Sequence, residues 1–377
     1  MEGLFSGIYI GKTVLVTGHT GFKGSWLTLW LNSLGARVVG YGLPPDTEPN
    51  LFNLMNLQDS IVHIIGDVRD ASKLCDVLRT YQPDIVFHLA AQSLVRYSYT
   101  NPVETYATNV MGTIHLFEAI RETPSVRVCV NVTSDKCYEN REWVYSYREN
   151  DSLGGLDPYS SSKGCAELVT VAYRNSFFTK GERHISLASA RAGNVIGGGD
   201  WAHERIIPDC VRALTSGKPV LVRNPQAIRP WQYVLEPLPG YLRLGACLWG
   251  KPGLFEEAWN FGPNNGGNLT VGELVDQVIS LWGEGTWVDI SKCQSDLLHE
   301  ARTLKLDITK ATHILGWEPV FNISQALEET VRWYSEQHRN PKLDVKEYML
   351  KQIHYYVQSA KIKGVKWAVK YKEQDDL

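Results

Sequence analysis

Between Thr13 and about Ser189, short runs of β-branched and apolar residues alternate with longer stretches of helical texture. The runs cover 13–16, 37–41, 61–65, 85–89, 126–132 and 184–188. Strands separated by helices predict parallel pairing through crossover connections. Several of these runs are apolar at almost every position, as strands become when helices cover both faces of a sheet. The pattern predicts an α/β fold in which residues 12–190 form a doubly wound parallel sheet.

After Arg191 the texture changes to segments broken by Gly197-Gly198-Gly199, Asn224-Pro225, Arg229-Pro230 and Gly262-Pro263-Asn264. A smaller mixed α/β domain is expected over 191–228 and 251–358, with the chain returning to the first domain near 229–250. Residues 347–357 have a helical pattern. Residues 359–377 are charged without a clear period, and a loose tail is expected there.

Composition narrows the function. With 377 residues, 44% apolar and 21% charged, the chain can bury a full core. A net charge of -3 gives no long-range attraction to nucleic acid or an anionic membrane, so basic residues are expected to act locally on a small anionic ligand. Seven cysteines without a C-x-x-C pair suggest neither zinc nor a redox dithiol, and they fit a reducing cytoplasm. The run Val14-Leu15-Val16 is too short for a signal or a membrane span.

Gly18, Gly21 and Gly24 follow the first strand and open a helical stretch through Trp26, Leu27 and Trp30. Glycines there permit a tight turn, close approach of backbone to a pyrophosphate and close helix packing, with Thr20, Phe22 and Lys23 filling the loop. That is a Rossmann-type dinucleotide signature, although its spacing is G-x-x-G-x-x-G and glycines alone could mark a turn. The second strand ends in Tyr41-Gly42-Leu43, with neither a ribose-binding acid nor an arginine for a 2′-phosphate, and only Asp46 nearby. Asp67, with Val68 beside it, could meet an adenine edge or could start a helix.

Two further signals carry chemistry. Asp157-Pro158 is a helix-start signature, so Tyr159 and Lys163 share one helical face. A nearby ammonium lowers a phenol's pKa toward the range of a useful base. Ser134-Asp135-Lys136 closes the fifth strand, at the carboxyl end where open α/β sheets place their ligands, and its hydroxyl can hydrogen-bond a substrate alcohol. Asn194, Arg205, Arg229 and Arg302 suit an anionic nucleotide, because guanidinium groups match phosphate oxygens.

Together these elements resemble the extended short-chain dehydrogenase/reductases, and more narrowly the nucleotide-sugar 4,6-dehydratases, from Lys12 to about Val357. The phrases TSDKCYEN from Thr133, RAGNVIGGGDW from Arg191 and RPWQYVLEPLPGY from Arg229 look like the CDP-glucose 4,6-dehydratases within that group. The segment His88-Leu89-Ala90-Ala91-Gln92 is similar to the family segment that lies along the cofactor, although strand-end packing explains Leu89 and Ala90 equally well. The resemblance implies NAD as cofactor, CDP-glucose as substrate and a homodimer or homotetramer. It also implies a place in dideoxysugar synthesis for surface polysaccharide.

In the implied cycle Tyr159 takes the C4 hydroxyl proton as hydride passes to NAD, water leaves across C5 and C6, and the hydride returns to C6. Ser134 orients the sugar, and Asp135 is implied as the acid. Lys136 stands where related thymidine-nucleotide enzymes carry a glutamate base; it acts either as a neutral amine or only as a stabiliser of the enolate. Two other readings stay open: a 4-epimerase or a dehydratase of another nucleotide sugar, and a catalytically silent dinucleotide sensor. Asp135-Lys136 argues against the epimerase, and the intact Ser134, Tyr159 and Lys163 argue against the sensor.

Overall fold

The computed structural model describes residues 1, 3–181, 183–264, 268–293 and 303–369. Seven parallel strands form its central sheet: β1 (Thr13–Thr17), β2 (Arg37–Gly42), β3 (Val62–Ile65), β4 (Ile85–His88), β5 (Val128–Val132), β6 (Ser186–Ala192) and β7 (Ala258–Phe261). Their order is β7-β6-β5-β4-β1-β2-β3. The chain winds outward from β1 through β3, then returns to place β4 on the other side of β1. This reversal leaves a crevice at the carboxyl ends of β1 and β4, where such sheets bind ligands.

The apolar strand runs are explained by burial on both faces. Val14 and Val16 join a core with Ile85, Phe87, Val128 and Val130, whereas Leu15 joins a second core with Val39, Val86, Cys129 and Leu187. Helices α1 (Phe22–Ser33) and α6 (Pro237–Gly250) contribute to the first core. Helices α2 (Ala71–Tyr81) and α3 (Gly112–Glu122) contribute to the second, with α4 (Pro158–Tyr173) beside them. Helix α5 (Ile206–Thr215), helix α7 (Val271–Trp282) and three two-stranded ribbons make up the smaller lobe.

The boundaries differ from the expectation in three places. The returning segment does not stop at 250, because Ala258–Phe261 pairs with β6 as the sheet's edge. At the N-terminal end, Leu4, Phe5 and Tyr9 are buried ahead of residue 12, and the Tyr9 hydroxyl donates to the Leu242 carbonyl at 2.6 Å. The expected tail beginning at 359 is part of the core as far as Ala368. Helix α8 (Ile323–Arg339) is followed by α9 (Val345–Lys363), which stops at Gly364 in the left-handed conformation, φ 76°. The chain then turns back and buries Val365, Trp367 and Ala368.

Trp367 stacks on Phe5 at 5.4 Å and on Tyr356 at 6.1 Å, with Trp30 edge-on at 6.2 Å. No helical period marks this segment in the sequence because it is not helical; three apolar residues in a turn suffice to anchor it. Residues 370–377 lie outside the described residues.

Replacing Trp367 with alanine empties a closely packed aromatic site, and a loss of about 3–5 kcal/mol is expected. Urea unfolding checks this; a midpoint unchanged from the parent protein contradicts an anchoring role for the C-terminal turn.

Candidate active site

The glycine loop after β1 and the loop after β4 touch. Gly18 has φ 72°, and a Cβ there would lie 2.7 Å from the Ala90 backbone nitrogen. A Cβ on Gly24 would lie 2.0 Å from the Gly18 carbonyl oxygen, so the first turn of α1 seats directly on the loop. The cap residue Gly21 supplies no side-chain hydrogen bond, which leaves the N-terminal amides of α1 available to an anion. These absent side chains and uncapped amides form a cradle fitted to a dinucleotide's pyrophosphate.

The cradle opens into a cleft of about 650 Å³. Gly18, Thr20, Gly21, Phe22, Lys23 and Gly24 line it, as do Asp67, Val68, Leu89, Ala90 and Ala91. Gln92 does not: its side-chain amide closes its own loop, donating to the Leu94 carbonyl at 3.0 Å and accepting from the Leu94 amide at 2.7 Å. Asp67 is not the helix-starting residue, since Asp70 caps α2 instead. Its carboxylate is engaged by Arg69 at 2.5 Å, and this lowers its pKa. Leu43 and Asp46 line the cleft beyond β2.

A buried relay fixes the β4 side of the cleft. The Thr113 hydroxyl donates to the Asn109 carbonyl at 2.8 Å, so it accepts from His88 Nε2 at 3.2 Å. His88 Nδ1 is then the acceptor for the Thr17 hydroxyl at 2.7 Å, and Thr17 in turn accepts from the amides of Leu89 and Ala90. Burial, with the nearby Lys163 charge, holds the imidazole neutral with its pKa down at about 3. His88 stands in the His88–Gln92 segment quoted above, whereas Thr17, at the end of an apolar strand, and Thr113, within a helix, carry no signal of their own.

Helix α4 delivers the next two groups. The Asp157 carboxylate caps it through the Ser160 amide at 2.9 Å, and Pro158 starts the first turn. Tyr159 and Lys163 are both buried, 7% and 6% exposed, and both line the cleft. The Lys163 ammonium lies 5.9 Å from the Tyr159 ring centroid. The expected lowering of the phenol's pKa is not met within the protein alone: burial pushes it up to about 12, and the Ser134 hydroxyl only partly opposes this. Lys163 is itself pushed down to about 8 by burial, with the Lys23 charge adding to the effect.

The turn after β5 brings the remaining groups together. The Ser134 hydroxyl donates to Asp135 Oδ1 at 3.0 Å and accepts from the Lys136 amide at 3.2 Å. Asp135 is 2% exposed, whereas Lys136 is half-buried, and both line the cleft. Asn194, in the left-handed conformation at φ 49°, points its amide at Asp135 Oδ2, 3.4 Å away. Between them sits Gly193, where a Cβ would fall 2.1 Å from the Asp135 carboxyl carbon.

The cationic candidates separate. Arg205 spans the cleft, donating to Asp200 at 2.9 Å and to the Ser93 hydroxyl at 3.1 Å. Arg229 lines the cleft from a short strand, Ile228–Pro230. Arg302 lies outside the described residues. Lys23 also belongs to this cluster, with its pKa lowered to about 8 by burial and by Arg205.

A sequence family described as GDP-mannose 4,6 dehydratase matches residues 15–243. The chain is 50% identical to a CDP-glucose 4,6-dehydratase of Salmonella typhimurium, over 90% of this chain and 96% of that one. This chain belongs to the nucleotide-sugar 4,6-dehydratase family. Among solved structures, a double mutant of a dTDP-glucose 4,6-dehydratase from Streptomyces venezuelae with NAD bound matches at 26% identity. That match has a TM-score of 0.71 and covers 86% of this chain and 98% of that one. The dTDP-glucose 4,6-dehydratase of Bacillus anthracis in complex with NAD shares the fold at 24% identity and a TM-score of 0.71, over 87% and 98% of the two chains. The sheet order and the cleft described above are those of an extended short-chain dehydrogenase/reductase dehydratase.

Substituting Gly193 with alanine is expected to displace the Asp135 carboxylate while leaving the glycine cradle untouched. Turnover should fall about a hundredfold or more with dinucleotide affinity unchanged; equal turnover in the variant removes Asp135 from the site's working geometry.

Proposed function

We propose that this protein converts CDP-glucose into CDP-4-dehydro-6-deoxy-glucose and water, with NAD recycled in each turnover. One observation carries the reading. Asp135 and Lys136 stand at the end of β5 in the same cleft as buried Ser134, Tyr159 and Lys163. An oxidising set beside a proton-transfer pair suits elimination across C5 and C6, which 4-epimerisation does not need. The choice of CDP-glucose is supported by the half-identical Salmonella relative.

Gly18, Thr20, Gly21, Phe22, Lys23 and Gly24 would hold the dinucleotide's pyrophosphate, with Asp67 and Val68 at the adenine end and Leu89, Ala90 and Ala91 alongside. When bound, NAD supplies a hydride acceptor for C4, a donor for C6 and a fixed positive charge near the phenol. Tyr159 removes the C4 hydroxyl proton, helped by that charge and by Lys163. The Ser134 hydroxyl holds the C4 oxygen as it becomes a carbonyl. Asp135 in its protonated form gives its proton to the departing C6 hydroxyl. Lys136 takes the C5 proton as a free amine and gives it back to C5 when hydride reaches C6. Arg205 and Arg229 take the diphosphate, with Asn194 steering Asp135.

Mass spectrometry of protein incubated separately with CDP-, dTDP-, GDP- and UDP-hexoses tests this. Loss of one water from CDP-glucose, without accumulation of reduced cofactor, is the expected result. Asp135→Asn and Lys136→Met should each retain oxidation at C4, seen as reduced cofactor, yet lose water release by about 10²–10⁴-fold. No mass change with any sugar would defeat the dehydratase reading.

We also infer a homodimer. The outward sides of two packed helical segments carry Val103, Tyr106, Met111, Leu168 and Val171 together, with Val103 81% exposed and Leu168 59%. An apolar patch of that kind is typical of an interface. A cytoplasmic place fits the six free cysteines among the described residues and a nucleotide-sugar substrate destined for deoxysugar assembly. No helix among the described residues is long and apolar enough to cross a membrane. Light scattering should give twice the chain mass, and the paired change Val103→Glu with Leu168→Glu should halve it; a parent protein of single-chain mass contradicts the dimer.

A further inference from the structure

The smaller lobe closes one end of the cleft with a wall that has no role in the chemistry above. Leu221, Ala227, Trp231 and Val271 are its apolar lining, with Leu221 the exposed member. Two charged residues stand in the same wall. Arg223 follows the short strand Val220–Val222, and its Nη1 lies 3.4 Å from Glu204 Oε1. Its Nη2 reaches the Glu204 carbonyl, also at 3.4 Å. Glu204 holds the left-handed conformation at φ 62°, uncommon for a residue with a side chain, and its carboxylate also pairs with Arg96 Nε at 3.2 Å. Glu204 and Arg223 remain accessible from the cleft, at 42% and 30% side-chain exposure.

We propose that Arg223 and Glu204 together read the nucleobase and select cytosine over uracil and thymine. This inference rests on the nucleotide-sugar reading of the cleft and deepens it. A guanidinium only donates hydrogen bonds, and an ionised carboxylate only accepts them. The cytosine edge offers two neighbouring acceptors, O2 and N3, followed by a donor, the N4 amino group. Arg223 matches the first pair, and Glu204 accepts from the amino group, a pairing that carboxylates make with cytosine elsewhere. Uracil and thymine reverse the last two positions: an N3–H would face the guanidinium, and O4 would face the carboxylate. Rejection therefore comes from repulsion as well as from lost bonds. Asn224 also lines this wall, but an amide can present either its oxygen or its nitrogen, so it fits either edge.

The test uses the nucleoside diphosphates CDP and UDP, bound to the full-length protein and measured by calorimetry, so that no turnover is required. The parent protein should prefer CDP by about tenfold or more, and both Glu204→Gln and Arg223→Gln should bring the two affinities together. Glu204→Gln should also gain affinity for UDP, because its amide can donate to O4. Unchanged NAD affinity and melting temperature in the variants show that the fold is intact. A parent protein without preference, or variants that keep it, overturns the assignment. A protein that prefers CDP but does not dehydrate CDP-glucose would defeat the dehydratase reading and leave this one standing.

Discussion

The site depends on one buried ion pair, Glu167 with Arg191. Both side chains are almost fully enclosed, at 0% and 2% exposure, and meet at 2.8 Å. Taking two charges out of water costs several kcal/mol each unless every lone pair and proton finds a partner. Here nearly all do. The Thr133 and Ser189 hydroxyls both donate to Glu167, while Arg191 donates to the Tyr138 hydroxyl at 2.7 Å and to the Glu149 carbonyl at 3.0 Å. Burial alone would push the Glu167 carboxyl up, but Arg191 and the hydroxyls outweigh it and hold the pKa below its ordinary value. Thr133 immediately precedes Ser134, Glu167 lies one turn beyond Lys163, and Arg191 lies two residues before Gly193. A single network thus sets the relative positions of the β5 turn, the α4 face and the β6 loop.

Inside that frame burial acts on the titratable groups that face the cleft. Lys23 and Lys163 are both held near 8, and Arg205, itself paired with Asp200, lines the same cleft as the Asp135 carboxylate. Burial raises the Tyr159 phenol at the same time, to about 12, with the Ser134 hydroxyl opposing it in part. In the proposed cycle the positive charge of the bound dinucleotide would draw the phenol's pKa back down.

The sheet and most of the site were readable because each rests on a local rule. Apolar strands with period-breaking turns gave β1 to β6, and the i,i+4 spacing put Tyr159 and Lys163 on one face. What escaped depends on contacts distant in sequence. Trp367 finds Phe5 across the whole chain, and β7 joins the sheet after a helix that the sequence read as the end of the return. Gln92 looked like its neighbours Ala90 and Ala91, yet its amide satisfies its own loop. Glu167 was the nearest miss: it continues the Tyr159-Lys163 spacing by one more turn, and an acidic residue on a buried helical face is itself a signal that a buried cation lies opposite.

The loop from Gly193 to Arg205 links the two halves of the molecule. At its start Asn194 touches Asp135; near its end Glu204 meets Arg96, and Arg205 reaches Ser93, both on the dinucleotide side. The same loop therefore contacts the proton donor, the diphosphate candidates and the wall where a base would lie. In the proposed cycle a nucleotide seated at the wall would meet Glu204 and Arg205, on the same loop as the residue beside Asp135. Binding energy from the remote part of a substrate can then help to hold the reacting part in place.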